Sequence, residues 1–110
     1  MSAGDVAPEV VVVDAPEASR YEARVGDELL GFAEYRLGPQ VITFLHSEVL
    51  PEAEGRGVGS GLARAALDDA RRRGLRVRPL CPFIGAYIRR HAEYADLVVG
   101  PTGGGVSPSA

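Results

Sequence analysis

The chain has one cysteine, Cys81, in 110 residues. That excludes an internal disulfide and any multi-cysteine metal centre, and no metal is expected. Lysine is absent, so all 12 basic residues are arginine, against 15 acidic ones, for a formal charge of −3. Such a balance leaves no basic footprint for nucleic acid and weakly favours a cationic or neutral partner over a polyanion. No apolar run approaches the roughly 20 residues of a membrane span, and no membrane partner is expected. The opening residues MSAGDVAPEV lack the apolar core of a secretory leader. The location expected from these absences is cytoplasmic.

What remains is ordinary for one globular domain, with 45% hydrophobic and 25% charged residues. Residues 1–8 read as a disordered N-terminus, 9–99 as the domain, and 100–110 as a disordered Gly/Ser/Pro tail. Within the domain, β-branched or alternating runs over Glu9–Asp14, Arg20–Val25, Leu29–Leu37 and Val41–Leu50 predict an antiparallel meander of three to four strands. Gly26-Asp27 and Gly38-Pro39 supply turn chemistry between them. The period then changes. Val58, Leu62, Ala63, Ala66, Leu67 and Ala70 recur at helical spacing, and the spacing predicts a helix over Val58–Arg73 that stops at Gly74. Asp68→Arg72 and Asp69→Arg73 are spaced as i,i+4 pairs. A short strand is expected at Leu75–Cys81, parallel to its neighbour through a crossover. A second helix follows over Phe83–His91, with Pro82 at its first position, and a last short strand over Leu97–Val99. The fold class is α+β.

Between the meander and the long helix lies Glu54–Leu62, EGRGVGSGL, with glycine at every second position. Glycine allows tight turns and close approach of a ligand to the main chain. A helix opening there presents free N–H groups and its positive dipole end, which is a seat for phosphate. The segment is not a Walker loop, because Ser60-Gly61-Leu62 stands where Gly-Lys-Ser/Thr is needed. It is not a dinucleotide fingerprint either, since it follows antiparallel strands rather than the first strand of a βαβ unit. A plain strand-to-helix turn with packing glycines is the structural alternative.

R-G-V-G-S-G, after a strand ending Glu48-Val49-Leu50-Pro51 and before a long helix, resembles the acetyl-CoA motif of the GNAT superfamily of N-acetyltransferases. More narrowly, H-S-E-V…P-E…E-G-R-G-V-G-S-G-L, then P-L-C-P-F and A-Y-I-R-R-H, is similar to the short YjdJ-type branch. The resemblance covers about Val10 to Val99. Ala92 departs from it, standing where proline is expected after the histidine. The resemblance implies a compact fold in which two parallel strands splay and a thioester lies in the wedge. It implies that the amides of Gly57, Val58, Gly59, Ser60 and Gly61 hold the CoA pyrophosphate, with Arg56 shaping the loop or adding charge. The main chain near Val49 would pair with the pantetheine arm like an added strand. Arg89 and Arg90 are either solvated residues at a helix end or, for one of them, a contact to the adenosine phosphate, and Arg64 has the same two readings.

At the reacting end, Cys81 precedes Pro82 and so falls at a helix N-cap, where a thiolate is favoured. It is either a small core residue or a neighbour of the acyl group. Pro79, which has no N–H, is expected to help open the wedge. Tyr87 occupies the place of the tyrosine with which many GNAT enzymes protonate the departing thiolate, a role a phenol suits; otherwise it is an aromatic core residue. His46 and Glu48, two apart on one strand, share a face. One of them pointing into the wedge would take the acceptor's proton, and a solvated pair is the alternative. Two functions stay open. One is acyl transfer from acetyl-CoA to a small-molecule or exposed amine, directly or through acylated Cys81. The other is an acyl-CoA-binding module without turnover, because Val13–Tyr21 leaves room for only a short turn where larger GNAT enzymes carry helix.

Overall fold

The turns signalled by the sequence divide the first half into four strands, and a computed structural model describes them within residues 10–99. The expected loose ends, 1–8 and 100–110, and Glu9 of the first expected strand lie outside the described residues. β1 (Val11–Ala15) passes through one 3-10 turn (Pro16–Ala18) into β2 (Arg20–Val25). Gly26, at φ 58, opens the two-residue connection to β3 (Glu28–Leu37), a position that needs positive φ in a hairpin. At Gly38 the N–H donates to the Val41 carbonyl at 2.8 Å and starts β4 (Val41–Val49). After α1 (Val58–Arg72) comes β5 (Arg76–Pro79), and the five strands lie in sequence order with β4–β5 as the parallel pair. α2 (Pro82–Arg90) and a 3-10 helix (Ala92–Leu97) are the last elements among the described residues. Observed ends differ from the expected ones by a residue or two. No helix among the described residues is long and apolar enough to cross a membrane.

α1 buries the side its periodicity announces: Val58, Leu62, Ala63, Ala66, Leu67 and Ala70. These meet Ile42, Phe44, Val77 and the apolar side of α2 in one core. The helix ends as Gly74 requires. That residue takes φ 72, its N–H reaches Arg71, and the Leu75 N–H reaches the Ala70 carbonyl at 2.9 Å, which is a Schellman motif.

Three tyrosine hydroxyls then clamp the layers, each donating to an aspartate at 2.6 Å: Tyr21 to Asp69, Tyr35 to Asp14 and Tyr94 to Asp68. This rearranges the expected helix pairs. Arg73 does reach Asp69, at 3.3 Å, but Arg72 pairs with Asp69 rather than Asp68. The Tyr94 hydroxyl has taken Asp68 instead.

The last expected strand, Leu97–Val99, shrinks to a single parallel bridge between Val98 and Val77, with the Val99 N–H on the Val77 carbonyl at 2.8 Å. Leu97 belongs to the 3-10 helix that Ala92 opens. Its three-residue repeat turns Tyr94 and Leu97 to the same side, and both are buried. Burying them together outweighs the β-branched preference of the short Leu-Val-Val run.

β3 and β4 carry the feature that matters most later. Glu34 pairs with His46 and Tyr35 with Phe44, so Leu45 is an extra residue on β4. This bulge reverses the alternation of the strand. Phe44 faces α1 and, beyond the bulge, Ser47 and Val49 do so too, paired with Ala33 and Gly31. His46 and Glu48 turn to the opposite face. There they join Phe32 and the buried Glu22, whose carboxylate accepts from Nε of Arg20 and of Arg24 at 2.8 Å each. Those two bonds hold the Glu22 carboxyl below its ordinary range.

Two outcomes are expected. Burial and the aspartate bond push the Tyr35 phenol up to about 12, and burial and Asp68 do the same for Tyr94. A raised phenol contributes stability that is complete below the unfolded value of 10.0 and is lost as pH rises towards about 12. Thermal melts between those pH values should fall, and the fall should be shallower in Tyr35→Phe and Tyr94→Phe. At Gly31 a Cβ would lie 2.7 Å from the Glu48 carbonyl oxygen. Gly31→Ala should therefore destabilise by about 1–3 kcal/mol in urea titration, because backbone must move to admit the methyl group.

Candidate functional site

The site begins where β4 and β5 part. Their register runs Val41–Arg76, Ile42–Val77, Thr43–Arg78 and Phe44–Pro79, and ends there. The phase of the bonds shows why. The Arg76 N–H donates towards β4, to Gln40, while the Val77 carbonyl accepts from Val99 on the outer side. Alternation therefore points the nitrogen of Pro79 outward, away from β4. Proline removes a donor from the outer edge of β5, not from the wedge as expected. The parting comes from Leu80, whose N–H turns back to the Arg78 carbonyl at 3.2 Å. Its side chain is left exposed, and the Cys81 N–H takes the Phe44 carbonyl at 2.9 Å. Past Phe44, β4 has no partner on its β5 side among the described residues, so Leu45 to Val49 keep unpaired main-chain groups along that edge.

The glycine loop opens at the far end of this edge. A 3-10 turn (Pro51–Ala53) leads to Gly55 at φ 84 and Gly57 at φ 76. Both values lie in the left-handed region that a side chain disfavours. Gly57 is the N-cap of α1 and no side chain caps it. The Gly61 N–H is spent on the Gly57 carbonyl at 3.0 Å, whereas those of Gly57, Val58, Gly59 and Ser60 find no carbonyl among the described residues. Four donors without a carbonyl partner thus gather at a positive helix end beside the exposed Arg56.

Two hollows connect the loop with the wedge. One, of about 240 Å³, is lined by Glu54, Gly55, Gly57, Val58 and Ser60. The other, of about 140 Å³, is lined by Ser47, Glu48 and Leu62. Val49, Gly59 and Phe83 wall both. A Cβ on Gly59 would lie 2.9 Å from the Phe83 ring, so glycine there is what lets the ring close in. A larger hollow, about 600 Å³, lies elsewhere, between β1 and the C-terminal half of α1.

Cys81 is the N-cap of α2 and only 2% exposed. Its Sγ lies 3.2 Å from Ser47 Oγ. Ser47 is the residue that sequence reasoning missed. The signal was present, since a serine between His46 and Glu48 must face the other way, but which face meets α1 depends on the bulge. His46 Nε2 and Glu48 Oε2 are 3.0 Å apart, with side chains 54% and 55% exposed, on the face opposite α1. The two candidate bases are thus paired to each other and stand apart from the thiol's side of the strand. Tyr87 is buried, stacked at 3.9 Å between ring centroids on His91, whose Nδ1 lies 2.9 Å from the Tyr87 carbonyl oxygen. Among the described residues its hydroxyl alone of the four tyrosines has no hydrogen-bond partner. Arg64, Arg89 and Arg90 are exposed.

Residues 20–97 match the model of a family described as GCN5-related N-acetyl-transferase, a description that names no branch within it. A search of curated proteins gives no match. Among solved structures, the chain is similar to the solution structure of a GCN5-like protein from Staphylococcus aureus, provisionally assigned as an N-acetyltransferase. The two share 23% identity over 84% of this chain and 89% of that one, with a TM-score of 0.61. At that identity the likeness speaks for the fold. The family match spans most of the described residues. The chain belongs to the GCN5-related N-acetyltransferase family.

Proposed function

We propose that this protein transfers an acetyl group from acetyl-CoA to an amine. One observation carries the reading. The unpaired amides of Gly57–Ser60 and the unpaired edge of β4 open into the same run of hollows, whose inner wall includes Ser47, the residue in contact with the buried Cys81. A diphosphate suits the first, an extended amide-containing arm suits the second, and a thioester delivered along them would stop beside a thiol. Arg56 adds positive charge at the loop, and Val49 offers its main chain to the arm. Among the described residues no group of His, Cys, Asp and Glu side chains is arranged to hold a metal ion.

Two routes use these residues. In direct transfer the acceptor nitrogen bonds to the acyl carbon as the carbon–sulfur bond breaks. Glu48 or His46, on the opposite face of β4, takes the nitrogen's proton through water, and Tyr87, whose hydroxyl has no hydrogen-bond partner among the described residues, gives one to the departing sulfur. In the covalent route Cys81 accepts the acyl group first and passes it to the amine. A second reading, an acyl-CoA-binding module without turnover, draws on the β1–β2 connection. It is a single 3-10 turn, Pro16–Ala18, so no helix from that point walls the face carrying His46 and Glu48.

Gly57→Ala should weaken CoA binding about tenfold or more by isothermal titration, since a side chain in the left-handed region costs about 1–2 kcal/mol or forces the amides apart. Absence of CoA binding by the unmodified protein would remove both readings. Intact-mass analysis with acetyl-CoA separates the routes. The covalent one requires an adduct of one acetyl group that is missing in Cys81→Ala and is passed to an added amine. Release of CoA thiol across a panel of amines decides turnover; tight binding with no release on any amine favours the module.

A further inference from the structure

We propose that Ser47 is the positioning residue of the Cys81 thiol. The proposal rests on the covalent route above. The Leu45 bulge turns Ser47 towards α1, and it is the residue of unpaired β4 that meets the start of α2 across the gap. The main chain of Cys81 is fixed on both sides, its N–H on the Phe44 carbonyl at 2.9 Å and its carbonyl on the Gly85 N–H at 3.0 Å. Among the described residues its buried side chain has one polar partner, Ser47 Oγ at 3.2 Å. That hydroxyl also lines the inner hollow, whose other walls include Val49, Leu62 and Phe83. In so apolar a place a sulfur that carries charge depends on the donors within reach. A hydroxyl suits both states, accepting from S–H and donating to S⁻.

The chemistry it supports balances in two steps. Cys81 sulfur bonds to the acyl carbon, the carbon–sulfur bond of acetyl-CoA breaks, and the thiol proton ends on the departing CoA sulfur. Then the amine nitrogen bonds to that carbon, the bond to Cys81 breaks, and a proton from the nitrogen returns to the cysteine. Ser47 contributes no atom; it aims the sulfur and steadies its charge.

The test compares Ser47→Ala, Ser47→Thr and Ser47→Val in the full chain, with iodoacetamide as thiol probe and acetyl-CoA as acyl donor. Threonine keeps the hydroxyl and valine matches its shape without it, so this pair decides the matter even if the alanine variant folds poorly. Loss of the hydroxyl should slow alkylation of Cys81 roughly tenfold to a hundredfold near neutral pH, the range of one hydrogen bond to a charged group. Threonine should restore the rate. Acetylation of Cys81 should slow in parallel while CoA affinity stays unchanged. Valine and threonine variants with superimposable alkylation profiles would overturn the proposal. If alkylation depends on the hydroxyl as described but acetyl-CoA leaves Cys81 unmodified, Ser47 keeps its role towards the thiol and the covalent route falls.

Discussion

The site depends on one interrupted ladder. β4 and β5 pair as far as Phe44 and then separate, because the Leu80 N–H folds back on Arg78 and the chain swings into α2. A strand edge left unpaired in a sheet interior carries main-chain donors and acceptors that water or a ligand must satisfy. Here that edge runs from the core to the glycine loop. Had the ladder continued by two more residues, the edge would be closed and Cys81 would lie in a strand rather than at the head of a helix. The parting also brings Cys81 opposite Ser47 and lets Phe83 settle over Gly59.

The stabilising contacts are distributed so that this gap can exist. The C-terminal half of α1 is held by Tyr21 and Arg73 on Asp69, by Tyr94 on Asp68, and by a Schellman stop. Tyr35 and Asp14 extend the same clamp to the edge of the sheet. At the N-terminal end there is no cap, no acidic first turn, and glycine where a side chain would otherwise fill the approach. The helix thus has one end anchored by charge and hydrogen bonds and the other left with donors to spare. That asymmetry is what an anion-binding helix needs.

Much of this was legible in the sequence, for local reasons. The hairpin turns, the long helix with its Gly74 stop, and the glycine loop all depend on backbone preferences of the residues that form them. The resemblance to acetyltransferases lay in the same local segments. Less legible were features set by partners far along the chain. Asp68 was expected to hold Arg72 and instead accepts from Tyr94, 26 residues away. The terminal Leu-Val-Val run reads as strand, yet burial of Tyr94 and Leu97 draws Leu97 into a 3-10 helix. Pro79 was expected to open the wedge. Its nitrogen points to the other edge, which hydrogen-bond phase decides and composition cannot.

By itself, the sequence determined four strands of the meander, the two long helical segments, the place of the glycine loop, and that a lone cysteine heads the second helix, because these follow from spacing and from the stereochemistry of glycine and proline. Only the tertiary structure decided which side of β4 meets the thiol. One extra residue at Leu45 reverses the alternation, so Ser47 and Val49 face α1 while His46 and Glu48 pair with each other on the opposite face. A bulge depends on how β3 registers against β4, and that register is chosen by the packing of both strands against α1, not by the residues of β4 alone.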